Sequence, residues 1–484
     1  MAGKKPLVRS VVILASLALV LATVPAQVGD AQEEGPEILH PRLEVTTLAE
    51  GLVTPASLAF LGEDDLLVVE KNTGRVQRVV GGEVRETVLD LAVNFGSERG
   101  LLGIALHPEF PADPGVYLYW TESTTGSDTD VLSETPLLGN RVDRFEWDGS
   151  SLTFDQNLIR IRAIQQDADQ PERGNHDGGV IDFGPDGKLY ILVGDVGRRG
   201  QLQNLPDGPF GPGQPDDQFG GPEPDDAHLT GVILRLNDDG TTPSDNPFFG
   251  PGAATGGEVG ANIQKIFAYG LRNSFGMAFD PRSGDLWAEE NGDDSFTELN
   301  RVEPGFNSGW VQIQGPPERI DQYKAIETSP EFFGLQQVRW PPTNIADSAE
   351  EALSRLFVIP GSQYSAPEFS WKFEVAPAAV GFVEGDGLGR QFRGDLFMGG
   401  ARPFLEGGHL FHFNLTGNRQ MVAVDDPRLE DRVADNTAKF EITESESLLI
   451  GRNFGVITDI ETGPGGTLLL VSLDKGAIFE ISGR

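Results

Sequence analysis

Short apolar stretches recur along this chain, and they alternate with turns rich in glycine, proline and aspartate. Such turns include Gly184-Pro185-Asp186-Gly187 and Gly463-Pro464-Gly465-Gly466. Six stretches have the length and composition of buried strands, namely residues 66–69, 116–120, 189–193, 286–288, 396–398 and 468–471. An irregular repeat of β units is typical of a propeller, in which small twisted sheets surround a central axis. We therefore predict an all-β fold, a six-bladed β-propeller.

The first and third repeats each show the four strands of one blade. Residues 57–61, 66–70, 75–80 and 84–91 form the first, and residues 180–183, 189–193, 232–236 and 266–269 form the third. Residues 205–226 are expected to be a surface loop, and helix is expected only in insertions, such as residues 345–356 within 314–360. Residues 43–48 and 477–482 are expected to pair, which would remove an exposed sheet edge.

The N-terminal residues have the pattern of a targeting segment. Lys4, Lys5 and Arg9 precede an apolar run over residues 11–24, which is too short to span a membrane comfortably. Residues 1–26 are predicted to be a secretory signal peptide cleaved after Val24-Pro25-Ala26, with an uncleaved anchor as the alternative. Residues 27–42 would then be a flexible segment and residues 43–484 the propeller. No later stretch has the length and hydrophobicity of a membrane span, so we expect a secreted or periplasmic protein.

Composition narrows the chemistry. The chain has no cysteine, which excludes thiol catalysis, cysteine-ligated zinc and iron–sulfur clusters. Its formal net charge of −37 disfavours binding to nucleic acids and anionic membranes. Any cluster of arginine and lysine therefore stands against a strongly negative background.

Polar residues in two sets of loops are expected to converge at one end of the propeller axis. Loops entering the inner strands carry Glu98, His176 and the pair Arg272-Asn273, and loops leaving the second strands carry the following residues: Asp195, Gly292, Asp293, Asp294, Arg402 and Lys475. His176 has the properties of a general base near neutral pH, and Asp195 could fix its tautomer.

Two kinds of ligand are indicated by these loops. Arg272, Arg402 and Lys475 would form a cationic patch for an anionic ligand. The glycine-containing loop after the fourth repeat exposes backbone carbonyls, which suit Ca²⁺, although Asp293 and Asp294 also fit ordinary solvated turn residues. Glu298 follows on the next strand and would fix that loop directly or through a metal.

At these residues the chain resembles the soluble quinoprotein glucose/sorbosone dehydrogenase family. The resemblance extends over about residues 43–481, and it is carried by these stretches: Asn175-His176-Asp177-Gly178-Gly179, Tyr269-Gly270-Leu271-Arg272-Asn273, Gly305-Phe306-Asn307-Ser308-Gly309-Trp310, and residues 100–108, 183–190 and 233–237. It implies a six-bladed propeller that binds pyrroloquinoline quinone and Ca²⁺ at its mouth. It also implies oxidation of the C1 hydroxyl of aldose sugars to lactones, with electrons passed to an external acceptor.

The resemblance also implies a role for individual residues. His176 resembles the base that takes the hydroxyl proton, Asp195 its partner, and Arg272 and Asn273 cofactor contacts, with Arg272 stabilising negative charge on the reduced quinone. The remaining matches are Glu98 near the quinone, Arg402 at a lysine position, the carbonyls of Gly292 and Asp293 at the cofactor's Ca²⁺, and Glu298 with the carbonyl of Ser308 at a second Ca²⁺ site.

The sequence departs from the family pattern where two arginines are expected before the sixth blade. Val456 and Thr458 stand there, and neither can pair with a carboxylate of the quinone. Arg452 or Lys475 could compensate. Two other functions therefore stay open: a quinone-free propeller that binds a carbohydrate or a protein, and a Ca²⁺-dependent hydrolase of the lactonase type.

Overall fold

The computed structural model describes residues 35–164, 173–197, 229–329, 343 and 345–484. The strands of the first half are β1 (Glu37–Ile38), β2 (Leu43–Glu50), β3 (Pro55–Gly62), β4 (Asp65–Glu70), β5 (Arg75–Val80), β6 (Glu83–Asp90), β7 (Leu101–Leu106), β8 (Gly115–Thr121), β9 (Asn140–Trp147), β10 (Leu152–Ile161), β11 (Ile181–Phe183), β12 (Leu189–Val193), β13 (Val232–Leu236) and β14 (Ile266–Tyr269). Those of the second half are β15 (Met277–Phe279), β16 (Leu286–Glu290), β17 (Ser295–Val302), β18 (Phe306–Asn307), β19 (Gln363–Tyr364), β20 (Phe369–Phe373), β21 (Pro377–Phe382), β22 (Leu396–Gly400), β23 (Leu410–Leu415), β24 (Val422–Ala423), β25 (Val433–Ala434), β26 (Leu449–Arg452), β27 (Ile457–Thr462), β28 (Leu468–Ser472) and β29 (Ala477–Gly483). The α-helices are α1 (Phe249–Thr255), α2 (Gly257–Ile263), α3 (Ile320–Glu327) and α4 (Ala349–Ser354).

The strands form six mostly antiparallel sheets. In the order of their innermost strands, sheet 1 is β3-β4-β5-β6, sheet 2 is β7-β8-β9-β10, sheet 3 is β11-β12-β13-β14-β18-β19, sheet 4 is β15-β16-β17-β20-β25, sheet 5 is β21-β22-β23-β26-β1 with β24 on β23, and sheet 6 is β27-β28-β29-β2. The innermost strands contact one another in a closed ring, β3 to β7, β11, β15, β21, β27 and back to β3. The predicted all-β propeller is confirmed.

Hydrophobic clusters fill the space between all neighbouring sheets. Pairs that represent them are Val69 and Val116 (sheets 1 and 2), Tyr119 and Ile191 (2 and 3), Leu192 and Ala288 (3 and 4), Trp371 and Phe411 (4 and 5), Phe397 and Leu470 (5 and 6), and Val471 and Val68 (6 and 1). The second strand of each sheet is therefore buried on both faces. A strand with two buried faces has a continuous apolar run rather than an alternating pattern, which explains the six stretches seen in the sequence.

The ring encloses an axial cavity of about 820 Å³. All six innermost strands contribute to its wall, through Ala56, Gly103, Ile181, Met277, Ala379 and Ile460. Adjacent inner strands approach so closely that a Cβ atom at residue 103 would lie 2.2 Å from the carbonyl oxygen of Gly179. Glycine at this position therefore allows the ring to close.

The two ends of the described chain meet in sheet 6. β2 pairs antiparallel with β29, with Leu43 opposite Gly483 and Thr46 opposite Glu480, so the expected pairing of residues 43–48 with residues 477–482 is confirmed. Residues 27–42 were expected to be flexible. Their described part differs from that expectation, because Glu37 and Ile38 form β1 and pair with β26.

Other predictions have mixed outcomes. The four strands expected in the first and third repeats are confirmed as β3–β6 and β11–β14. Helix α4 lies within residues 345–356, but α1 and α2 lie between β13 and β14, outside the insertions to which helix was assigned. The expected signal peptide and the loop at residues 205–226 lie outside the described residues. Within the described chain, none of the helices has both the length and the apolar character needed to cross a membrane.

Candidate functional site

One end of the axial cavity, here called the mouth, is formed by Lys71, Ser97, Glu98, Ala401, Val456 and Leu473. These residues belong to loops that enter the inner strands or leave the second strands, as the topology predicts. The position of each candidate residue is described below relative to the mouth.

His176 joins the mouth through Glu98. Its backbone N–H donates to Glu98 Oε2 at 2.5 Å, and its backbone is left-handed, with a φ of 61°. The imidazole is largely buried, and Nδ1 lies 2.6 Å from Asp195 Oδ1. None of the hydrogen bonds within the described residues uses Nε2. With Nδ1 protonated toward Asp195, Nε2 carries the lone pair that a general base needs.

Asp195 is fixed on both oxygens. Oδ1 also accepts from the backbone N–H of Gly197 at 2.8 Å, and Oδ2 accepts from the indole Nε1 of Trp310 at 3.1 Å. Burial raises the pKa of this carboxyl, but the charge and hydrogen bond of His176, the charge of Arg272 and the Gly197 N–H outweigh burial and hold the pKa below its ordinary value. Asp195 is therefore a carboxylate that orients the imidazole.

Arg272 lies beside this pair. The Asp195 N–H donates to the Arg272 carbonyl at 2.7 Å, and the guanidinium lies 5.6 Å from the centre of the Trp310 ring. A Cβ atom on the intervening Gly194 would lie 2.3 Å from the His176 carbonyl oxygen, so only glycine allows this approach. The structure thus brings His176, Asp195 and Arg272 together, with Trp310 between them.

Asn273 and Arg402 have different surroundings. Asn273 is buried, and its side-chain oxygen has no hydrogen-bond partner within the described part of the chain. Buried amide oxygens normally have a donor, so this one is available to a ligand. The exposed Arg402 instead stacks on Phe440 and Phe404, at 5.2 and 5.8 Å from their ring centres. Arg402 therefore contacts an aromatic pair beside the mouth.

The two positions expected to be arginine are part of the cavity wall. Val456 and Thr458 both line it, and the Thr458 hydroxyl donates to the carbonyl of Pro55 at 3.3 Å. Arg452 pairs with Glu37 at 2.7 Å, so its charge is engaged at the exposed edge of sheet 5. Arg452 does not replace the missing cations.

Lys71 supplies a positive charge at the mouth and is not among the residues predicted from the sequence. Its ammonium donates to the carbonyls of Phe95 and Ser97 at 3.1 and 3.0 Å. Burial lowers its pKa to about 8, and the charges of Asp177 and Glu98 act in the opposite direction. Lys71 follows β4, the second strand of sheet 1. It therefore lies in the same kind of loop as Asp195, which follows the second strand of sheet 3, and the loop after the second strand of the first repeat predicts it in the same way.

The loop after β16, expected to bind the cofactor's Ca²⁺, is already occupied by cationic side chains. Arg272 Nη1 donates to the carbonyl of Gly292 at 2.9 Å, and Lys439 Nζ donates to the carbonyl of Asp293 at 2.7 Å. Ca²⁺ requires oxygen ligands at 2.3–2.6 Å. Both expected carbonyl ligands are engaged by positive charges, so the residues present do not fit Ca²⁺ at this loop.

Glu298 and Ser308 form a different cluster. Glu298 lies opposite Glu290 across β16 and β17, and the Ser308 hydroxyl donates to Glu290 Oε2 at 2.8 Å. Burial raises the pKa of Glu298 to about 7 and that of Glu290 well above its ordinary value. Two adjacent buried carboxylates with a hydroxyl group form a donor set that fits a hard cation such as Ca²⁺.

Comparisons with known proteins agree with this fold. The family model described as "Glucose / Sorbosone dehydrogenase" matches residues 52–332. Quinoprotein glucose dehydrogenase B of Acinetobacter calcoaceticus is 28% identical over 319 residues, which are 64% of this chain and 61% of that protein. Aldose sugar dehydrogenase YliI of Escherichia coli is 24% identical over 447 residues, which are 91% and 93% of the two chains. The PQQ-bound aldose sugar dehydrogenase of Streptomyces coelicolor has a TM-score of 0.55 at 24% identity, covering 93% of this chain and 100% of that one, and shows the shared fold.

Proposed function

This chain belongs to the glucose/sorbosone dehydrogenase family, and we propose that it is an exported quinoprotein that oxidises the C1 hydroxyl of aldose sugars to lactones. The proposal takes each of the six sheets as one blade of the propeller. The observation that carries it is the His176–Asp195 pair, whose Nε2 is left for a substrate beside the mouth. The family match and the quinoprotein relatives support it.

Bound pyrroloquinoline quinone would supply a two-electron acceptor for the hydride from C1. His176 Nε2 takes the proton of the C1 hydroxyl as the C1–H bond breaks, so that the alcohol carbon becomes the carbonyl carbon of the lactone. Asp195 keeps the lone pair on Nε2 and stabilises the imidazolium that forms. Proton transfer of this kind typically contributes about 10²–10⁴-fold to a rate.

The mouth supplies only part of what an anionic quinone needs. Arg272, Asn273 and Lys71 supply positive charge and an available amide oxygen, and these residues would hold an anionic quinone. Val456 and Thr458, at the start of the innermost strand of sheet 6, supply neither. Each charge-assisted hydrogen bond contributes about 1.5–3 kcal/mol, so two missing bonds lower affinity by about two to four orders of magnitude.

We propose Ca²⁺ at the cluster of Glu290, Glu298 and Ser308, where the donor set fits it. A Ca²⁺ ion there would have a structural role, because it would hold Glu290 in place. Glu290 Oε1 accepts from the backbone N–H of Arg272 at 2.6 Å and so links the cluster to the catalytic arginine. Export is proposed from the pattern of residues 1–26. N-terminal sequencing of the protein recovered outside the cytoplasm tests it.

The decisive experiment is reconstitution of the purified protein with pyrroloquinoline quinone in excess Ca²⁺, followed by dye reduction with aldoses. Turnover that depends on both quinone and sugar is the expected result. If no aldose supports dye reduction and calorimetry shows no quinone binding, the proposal is contradicted. That result favours the second candidate, a quinone-free binding module. Val456 and Thr458 in the cavity wall are the observation that supports that candidate.

A lactonase-type hydrolase requires side-chain carboxylates around one ion. Asp293, Asp294 and Glu327 have carboxylate oxygens within 4.8 Å of one another. Arg272 pairs with Asp293 at 3.2 Å and Lys439 with Asp294 at 2.7 Å, so two of the three carboxylates are already neutralised by protein cations. This arrangement gives the hydrolase less support than the dehydrogenase.

A further inference from the structure

The loop after β16 presents carbonyl oxygens beside Arg272, and two protein cations bind them. Arg272 Nη1 donates to the carbonyls of Asn291 and Gly292 at 3.0 and 2.9 Å. Lys439 Nζ donates to the Asp293 carbonyl and to Asp294 Oδ1, both at 2.7 Å. A lysine from a segment 146 residues away in sequence therefore closes the loop.

The turn that carries Lys439 is anchored on sheet 4. The Asn436 side chain accepts from the Phe373 N–H at 2.8 Å and donates to the Phe373 carbonyl at 3.0 Å. The Phe440 N–H donates to the Glu374 carbonyl at 2.7 Å, and the ammonium of Lys439 lies 5.2 Å from the centre of the Phe440 ring. These contacts place the ammonium at the loop and limit its freedom to leave.

Two of the three carboxylates at the loop are paired with protein cations. The buried Asp294 pairs with Lys439, and Asp293 pairs with Arg272. Glu327 accepts from the backbone N–H groups of Asp294 and Ser295, each at 3.1 Å. A divalent cation on the Asp293 carbonyl would have to displace the ammonium from its carbonyl and its carboxylate together.

We propose that the Lys439 ammonium takes the place of a divalent cation at this loop, so that the quinone binds at the mouth without Ca²⁺. Lysine supplies positive charge and a donor beside Arg272, the two properties that a cation would bring to an anionic ligand. This inference rests on the proposed function only for the identity of the ligand, since the occupation of the loop by lysine is a property of the protein itself.

Counting bound Ca²⁺ tests the proposal without quinone. Equilibrium dialysis of the wild-type protein and of Lys439→Met is expected to show one additional bound Ca²⁺ in the variant, because the substitution removes the ammonium from the Asp293 carbonyl and from Asp294 Oδ1. Lys372→Met is the matched control, since Lys372 lies on β20 of the same sheet with its ammonium 5.8 Å from the Phe373 ring centre. Equal Ca²⁺ counts in all three proteins overturn the proposal. Lys439→Gln replaces Lys439→Met if circular dichroism shows the latter to be unfolded.

Quinone binding gives the second readout. Titration with pyrroloquinoline quinone, followed by absorbance, is expected to give a wild-type Kd that changes by less than about threefold between chelator and excess Ca²⁺. Lys439→Met should bind at least about tenfold more weakly in chelator, which is the loss of one charge-assisted contact, and recover with Ca²⁺. Wild-type binding that disappears in chelator and returns with Ca²⁺ contradicts the proposal. Absence of quinone binding in both conditions refutes the proposed function instead, and the Ca²⁺ count then decides the role of Lys439.

Discussion

Replacing Asp195 with asparagine tests the central geometry of the site. The two oxygens of Asp195 face three donors: His176 Nδ1 and the Gly197 N–H on Oδ1, and Trp310 Nε1 on Oδ2. An asparagine has one oxygen and one NH₂ group, so in either orientation its NH₂ group faces a donor. A buried donor left without an acceptor costs about 1–3 kcal/mol of the free energy of unfolding.

The expected effect on catalysis follows from the same contacts. With NH₂ toward Trp310, the tautomer of His176 is retained but the charge-assisted bond to the imidazolium is lost. With NH₂ toward His176, the proton moves to Nε2 and the base is lost. The first case alone costs about 1.5–3 kcal/mol, which is about a 10- to 150-fold lower kcat.

The assay is steady-state dye reduction by Asp195→Asn at saturating quinone and aldose, with quinone occupancy measured separately by absorbance. Occupancy should be retained, because the substitution removes a negative charge from beside Arg272. The double variant Asp195→Asn, Trp310→Phe removes the indole donor and should recover about 1 kcal/mol of stability relative to the sum of the single variants. A kcat within about twofold of wild type at full occupancy would refute the role of Asp195 in orienting His176.

Three further changes have defined expectations. His176→Gln should lower kcat by about 10²–10⁴-fold in dye reduction, with an unchanged circular dichroism spectrum and melting temperature; normal turnover rejects the role of base. The double substitution Val456→Arg, Thr458→Arg should tighten quinone binding by about two to four orders of magnitude in calorimetry, whereas Val456→Leu should not, and equal affinity would show that the wall does not face the ligand. Because burial raises the pKa of Glu298 from 4.5 to about 7, unfolding in this range releases a proton, and the stability of the Ca²⁺-free protein should fall as the pH rises from 4.5 to 7. Glu298→Gln should flatten this dependence in thermal melts, and identical slopes would remove Glu298 as its cause.

The strands whose continuous apolar runs stand out in the sequence are those with two buried faces. β12 and β28, for example, are buried at all their residues, and their apolar runs are unambiguous. β17 is almost entirely buried, but its buried residues include the polar Thr297, Glu298 and Asn300, so it has no continuous apolar run. The sequence therefore indicates a buried strand only where the buried side chains are apolar.

Helices α1 and α2 were missed for a related reason. Their sequences are rich in glycine and include a proline, which are poor helix formers. Their packing instead uses the absence of side chains, since a Cβ atom on Gly252 would lie 2.4 Å from the carbonyl oxygen of Gly260 in the other helix. Tertiary contact, which local propensity does not contain, stabilises this pair.

The site residues that could be predicted from the sequence are those in loops that enter an innermost strand or leave a second strand. His176, Asp195 and Arg272 were found because each lies at a strand end that the repeat identifies. Lys439 lies in a turn between β25 and β26 and reaches the site only through contacts with Asp293 and Asp294. A position of this kind is set by long-range packing, and the spacing of residues in the sequence carries no signal for it.

The distribution of charge along the axis determines where in the cavity an anionic ligand is favoured. Below the mouth, the cavity wall carries Asp182, Asp459 and Glu461. Burial raises the pKa of Asp182 to about 7 and that of Asp459 to about 6, and burial with the neighbouring carboxylates raises that of Glu461 well above its ordinary value. Burial is the largest cause of all three shifts, so this part of the cavity disfavours a further buried negative charge. These three carboxyls therefore disfavour a polyanionic ligand at their level of the cavity, whereas Lys71 and Arg272 attract one near the mouth, in a chain of net charge −37.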